Sequence, residues 1–266
     1  MTIDRSQRMA FEEVADLYNE VRPTYPEPLI EAVLTLADLP PGGRILEIGC
    51  GPGNITLAFA RRGYRILGIE LGARLAALAA QNCRAYPGVE IRCAAFEDYA
   101  LEPGAFDLAL SADALHWIPP AIAYPKMAQA LKPSGSAALI WNVPVNPATE
   151  WSEAIDAVYR TVAPDLDNPD QGTSPEWVRH VITENFARSG CFDTVTYRQV
   201  PWSLTLSTER YLGLLRTYSG HRGISEPLRA RLYAGIRDVL KRFGDQVTQP
   251  QLTVLFHARV KMPAAP

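Results

Sequence analysis

Three glycines at alternate positions, Gly49, Gly51 and Gly53, follow directly on the apolar run Ile45–Ile48, and Glu70 stands about 20 residues beyond them. Glycine accepts positive φ and lets main chain approach a ligand closely. A carboxylate at that remove accepts both ribose hydroxyls of a nucleoside. The spacing is GxGxG, with Asn54 where a dinucleotide fingerprint has its last glycine, and Pro52 removes one backbone donor. Both features argue against a pyrophosphate, and no Gly-Lys-Ser/Thr follows to make a Walker loop. Glu47, inside the same apolar run, would be out of place beside phosphate and suits a cationic ligand. The group addressed is therefore a nucleoside without a pyrophosphate. Cys50 belongs to the same turn.

Other residues with chemistry to offer fall at comparable places. His116 and Trp117 follow an apolar run, so His116 is a candidate general base and Trp117 a candidate wall of a reaction chamber; plain packing is the alternative for both. Trp141 and Asn142 close another apolar run and are candidate substrate contacts. The stretch "LLRTYSGHR" gathers Arg216, Tyr218, His221 and Arg222, a polar cluster that either faces a pocket or ends a packed helix. His257 reads as structural. No cysteine or histidine spacing suits a metal, and none is expected.

These positions need a scaffold. Apolar runs at 44–49, 64–70, 89–94, 106–112 and 136–142 predict strands, and helical spacing at 27–38, 54–62, 73–82 and 125–132 predicts helices between them. The last of those helices is expected to stop at Pro133-Ser134-Gly135. Such alternation implies parallel βαβ units, an α/β doubly wound sheet in which ligands bind at the carboxyl ends of the strands where strand order reverses. After Asn142 the rhythm changes. Helices are expected at 150–163, 175–189, 208–217 and 226–243, and strands at 194–203 and 251–262. The organisation expected is a lid segment over 1–26, a cofactor-binding core over 27–142, and helical cap insertions with the last two strands over 143–266.

The chain has 266 residues, 47% of them apolar, and a formal net charge of −3. It suits one elaborated domain and offers no basic stripe for nucleic acid. Four scattered cysteines make no disulfide framework, the N-terminus has no signal-peptide core, and no run is long enough to span a membrane. The expectation is a cytoplasmic protein, monomer or homodimer, whose partner is a small molecule.

"ILEIGCGPGNIT" followed by "ILGIE" resembles the class I S-adenosylmethionine-dependent methyltransferases over residues 11–142. "FDLALSADALHWI" and "YNEVRPTYP" are similar to the branch called methyltransferase type 11 or trans-aconitate-methyltransferase-like. The resemblance implies a seven-stranded Rossmann-like sheet with an antiparallel last strand, S-adenosylmethionine as cofactor and a small-molecule acceptor, a carboxylate or hydroxyl oxygen. It implies that Gly49, Gly51 and the turn around them hold the methionine part, Glu70 the ribose and Leu71 the adenine face. Ala95, Phe96 and Glu97 would surround the adenine edge, and Ser111 and Ala112 would lie below the sulfonium. Tyr18 and Arg22, on an N-terminal helix, would reach the cofactor carboxylate or an acidic substrate; a surface ion pair of Arg22 with Glu20 or Glu27 is the alternative. A non-catalytic cofactor-binding protein and an NAD(P)-dependent oxidoreductase are the competing functions.

Overall fold

The computed structural model describes residues 10–145, 148–169 and 174–261. The first nine residues of the expected lid, Met262 of the expected last strand, and residues 146–147 and 170–173 of the expected loops lie outside the described residues.

A 3-10 turn at Ala10–Val14 leads into α1 (Ala15–Val21) and α2 (Glu27–Ala37). The core then alternates: β1 (Arg44–Ile48), α3 (Asn54–Ala60), β2 (Arg65–Glu70), α4 (Ala73–Asn82), β3 (Val89–Cys93), β4 (Phe106–Ala112), α5 (Pro120–Ala130) and β5 (Leu131–Pro144). The second half contributes α6 (Glu150–Val162), α7 (Pro175–Ser189), β6 (Thr196–Ser207), α8 (Thr208–Arg216), α9 (Ser219–Gly223), α10 (Glu226–Arg242) and β7 (Gln246–Arg259).

All seven strands form one sheet in the order β3-β2-β1-β4-β5-β7-β6. β1 to β5 run parallel, and β7 inserts antiparallel to both β5 and β6. This is the seven-stranded mixed sheet expected, with its antiparallel last strand. The continuous apolar runs of β1 and β4 are buried because helices cover both faces. One core lies between the sheet and α5 and α7, a second under α2 and α3. A third, built from α6, α8 and α10, is the interior of a helical cap. Strand order reverses between β1 and β4, so the glycine turn after β1 opens into the crevice that this topology makes available to a ligand.

Local differences from the expected elements have identifiable causes. The helix expected at 125–132 begins at Pro120, which suits a first turn, and Pro125 lies inside it. The expected stop at Pro133-Ser134-Gly135 is a bulge within β5. Leu131 pairs with Phe106, and pairing resumes five residues later at Ser136 opposite Leu108. β7 starts at Gln246 rather than 251, because its polar first half alternates, burying Val247, Gln249 and Gln251, with Val247 in the cap interior. The short helix α9 was not expected.

α1 ties core to cap. Val21 belongs to the cap interior, and a Cβ added at Gly213 of α8 would lie 2.9 Å from Val21 Cγ1, so glycine allows that close approach. At the other end of the segment the Glu12 carboxylate accepts the backbone N–H groups of Arg74 (2.9 and 3.0 Å) and Leu75 (3.3 Å), capping the first turn of α4. Arg74 in turn donates to the Glu12 carbonyl and pairs with Asp16.

Candidate active site

The glycine turn is built from two kinds of glycine. A Cβ at Gly49 (φ 69°) would lie 2.4 Å from Ala114 Cβ, and one at Gly53 (φ 92°) would lie 3.3 Å from Cys83 Sγ. These two serve packing. At Gly51 (φ 54°) an added Cβ would meet nothing within 4 Å, because that part of the turn faces an open cleft. The Gly51 N–H donates to Glu70 Oε2 at 2.8 Å, and the Gly72 N–H donates to Oε1 at 2.9 Å. Each carboxylate oxygen keeps a second lone pair for a ligand. Burial raises the Glu70 carboxyl above its usual range, and those two backbone bonds oppose the rise.

Gly49, Gly51, Glu70, Leu71, Phe96, Glu97 and Ala112 line this cleft, with Tyr18 and Trp117 at its edge. Ile48, Ile69, Leu75 and Ile118 supply apolar wall. The cleft joins a second chamber of about 300 Å³, because Tyr18, Asp113 and Trp117 line both.

Asp113 stands at that junction. It closes β4 in a left-handed conformation (φ 54°), uncommon outside glycine and held here by three hydrogen bonds. Oδ1 accepts the Asn142 N–H at 2.9 Å; Oδ2 accepts the Tyr25 hydroxyl at 3.0 Å and Asn142 Nδ2 at 3.1 Å. Enclosure raises its carboxyl, opposed by the Asn142 backbone bond and by Arg22. Across the chamber Arg22 lies between the rings of Tyr18 (4.8 Å) and Tyr218 (4.7 Å) and donates to Thr217 Oγ1 at 3.0 Å. Among the described residues no carboxylate pairs with it directly, so the expected alternative of an ion pair with Glu20 or Glu27 is not what the structure shows; Glu27 pairs with Arg62.

His116 and Trp141 form a coupled wall. Trp141 Nε1–H donates to His116 Nδ1 at 3.2 Å. In the neutral ring Nε2 then carries the proton, so neither nitrogen has a free lone pair. The ring is open to the chamber, yet protein surrounds it on most sides and lowers its pKa to about 4. In this arrangement His116 is placed to donate a hydrogen bond through Nε2–H.

Residues 46–139 match the family model described as a methyltransferase domain. Over these residues the chain is similar to methyltransferase domains. An uncharacterized methyltransferase of Mycobacterium tuberculosis is 30% identical over 139 residues, 52% of this chain and 54% of that protein. The chain thus spans about half the length of the mycobacterial relatives it matches. Nocamycin O-methyltransferase of Saccharothrix syringae is 28% identical over 167 residues, 59% of each chain. Among solved structures, a proposed type II methyltransferase from Anaeromyxobacter dehalogenans superposes with a TM-score of 0.63 at 22% identity, covering 90% of this chain and 97% of that one. The match reaches the methyltransferase domain and does not extend to the narrower trans-aconitate-like branch.

Several expected site residues stand away from the cleft. Ser111 is buried and donates to the Ile48 carbonyl at 2.8 Å, tying β4 to β1. Cys50 is buried behind the turn, its Sγ 3.1 Å from a Cβ added at Gly68, and burial raises its thiol pKa. Gly53 caps α3, and the Ala95 carbonyl is taken by the N–H groups of Asp98 and Tyr99. Glu47 is 1% exposed and lines neither the cleft nor the second chamber; burial pushes its carboxyl to about 8, which favours the neutral form at neutral pH. In the cap, Tyr218 reaches the second chamber, whereas His221 is buried between the hydroxyls of Tyr159 (3.0 Å) and Tyr233 (3.2 Å). Arg222 pairs with Glu13, and Arg216 packs on the Tyr233 ring at the surface. Asp113 and Tyr25 were missed by the sequence reading. The available signal was an acid directly after β4, at the same sheet edge as Glu70.

Among the described residues no helix is long and apolar enough to cross a membrane, and no group of three or more His, Cys, Asp or Glu residues could hold a metal ion.

Proposed function

We propose that the chain is an S-adenosylmethionine-dependent methyltransferase acting on an oxygen of a small molecule, a carboxylate before a hydroxyl. The observation that carries this reading is the Glu70 carboxylate, pinned by Gly51 and Gly72 beneath an open glycine turn. The residues fit the cofactor. Glu70 takes the ribose hydroxyls, Leu71 and Phe96 flank the adenine, and the Gly51 turn leaves room for the methionine part. Asp113, at the junction, offers negative charge where a cationic sulfonium or ammonium would lie.

When bound, the cofactor supplies a methyl group already activated on a sulfonium. The protein's part is positioning and exclusion of water. Arg22 presents a planar cation whose fork matches a carboxylate, and it lines the second chamber rather than the cofactor cleft, which favours the acceptor as its partner. A carboxylate needs no general base, consistent with the hydrogen-bonding state of His116. Trp117 is the wall shared by cleft and chamber, and Tyr18 on the lid segment 1–26 closes both. The O-methyltransferase among the relatives supports oxygen as the acceptor atom.

Calorimetric titration with S-adenosylmethionine and, separately, NAD tests the reading. Binding of the first and not the second is expected. Binding of NAD alone overturns it in favour of an oxidoreductase. Cofactor binding with no methyl transfer to any metabolite extract favours a non-catalytic binding protein.

A further inference from the structure

Resting on the methyltransferase reading above, we propose that the methyl acceptor is an amphipathic acid whose apolar body occupies a third chamber behind His116 and Trp141. This chamber has a volume of about 650 Å³, within the usual range of about 300–1,000 Å³ for small-molecule pockets. Leu115, Ile118 and Val143 wall it on the core side, and Val178, Val181 and Ile182 of α7 on the other.

Most of its few polar atoms are engaged elsewhere, the His116 Nε2–H at the boundary with the second chamber excepted. The Tyr124 hydroxyl is bonded to Asn185, His116 Nδ1 accepts from Trp141, and Asn142 donates to Asp113 and accepts from Thr253 Oγ1 at 2.6 Å. Among the described residues no Asp, Glu, Lys or Arg lines it. The chamber thus offers carbon and asks for carbon.

It is not isolated. His116, Trp141 and Asn142 line this chamber and the second one alike, so a single molecule can lie across that boundary with one end near Arg22 and the other against α7. The two ends differ in chemistry: a cation held between two tyrosine rings at one, aliphatic side chains at the other. At the mouth, Trp177 in the first turn of α7 leaves 59% of its surface in water. An indole there is positioned to cover the tail of an apolar guest. A second copy of this chain seated on Trp177 is the competing occupant.

The test uses linear carboxylic acids from four to twelve carbons, titrated into the full chain saturated with S-adenosylhomocysteine. Affinity is expected to rise about fourfold per methylene, following about 0.8 kcal/mol per buried CH₂, until the chamber is full. Val181→Phe should shorten the chain length at which the rise stops, and Val181→Trp should abolish the rise, both with unchanged affinity for S-adenosylhomocysteine, which also shows that the variants fold. An affinity independent of chain length, or a rise that neither variant alters, overturns the proposal while leaving cofactor binding and the methyltransferase reading intact. A chain that is dimeric without the acids and indifferent to them assigns the chamber to the second copy. Failure to bind S-adenosylhomocysteine at all removes the methyltransferase reading and this inference with it.

Discussion

Glu70→Ala separates a binding carboxylate from a merely structural one. In the free protein its oxygens accept N–H groups from Gly51 and Gly72 at 2.8 and 2.9 Å. Truncation leaves both donors facing a cleft that water enters, so the stability cost falls at the low end of the range for lost partners, about 1–2 kcal/mol. Relief of the burial that raises the Glu70 pKa offsets part of it. A chain of this size should lose no more than roughly 5 °C in Tm. The effect on a nucleoside is larger. A hydrogen bond to a charged group contributes about 1.5–3 kcal/mol, so two ribose hydroxyls at the low end give about 3 kcal/mol, or about 100-fold in affinity. Calorimetry with S-adenosylhomocysteine reads the loss directly, and a melting curve shows that the variant is folded. An affinity within about threefold of the parent, in a folded variant, would refute the placement of the ribose at Glu70 and the cofactor assignment built on it. Glu70→Gln keeps the shape but turns an amide N–H₂ toward one backbone donor, so an intermediate loss is expected.

Three further outcomes follow from the geometry. Gly49→Ala should be severely destabilising, since its Cβ would sit 2.4 Å from that of Ala114, whereas Gly51→Ala should cost about 1–2 kcal/mol for its left-handed backbone while weakening cofactor binding; thermal melts and calorimetry on both variants distinguish the two roles. His221→Leu should lower stability by about 1–3 kcal/mol through loss of its hydrogen bonds to two tyrosine hydroxyls, measured by denaturant titration, without changing cofactor affinity; a loss of affinity would return His221 to the site. The Glu47 carboxyl is raised from 4.5 to about 8 on folding, so its contribution to stability is full below pH 4.5 and is lost as pH rises through about 8. Glu47→Gln should therefore raise Tm at pH 8 by more than at pH 5, and an equal effect at both pH values would show that Glu47 is not held neutral.

The parallel core was legible because its strands are continuous apolar runs and its punctuation is glycine and proline, as at "PPGG" before β1 and the turn after it. Glu70 was legible because its distance from the glycine turn is fixed by one βαβ unit. What escaped depends on neighbours distant in sequence. Asp113 gains its meaning from Tyr25 and Asn142, 88 and 29 residues away, and nothing local to "SAD" announces them. Ser111 stood at the right strand end but one residue off in the pleat, with its hydroxyl turned to the neighbouring β1, and Cys50 stood in the right turn with its thiol buried behind it. The cap residues were the hardest. His221 and Arg222 are adjacent, yet one is enclosed by two tyrosines and the other reaches Glu13, because the turn at α9 points them in different directions. Pro133-Ser134-Gly135 reads as a break by composition and is a bulge because β4 continues to pair across it.

The short helix near the N-terminus has a kinetic consequence. Through Glu12, in the 3-10 turn that precedes it, it is fastened to the head of α4, through Val21 to the interior of the cap, and through Tyr18 to the walls of two neighbouring compartments. A displacement wide enough to admit a nucleoside therefore also disturbs the roof over the acceptor. Under the proposed function the expected kinetics are of compulsory order, nucleoside seated first and released last, and random-order product-inhibition patterns would count against it.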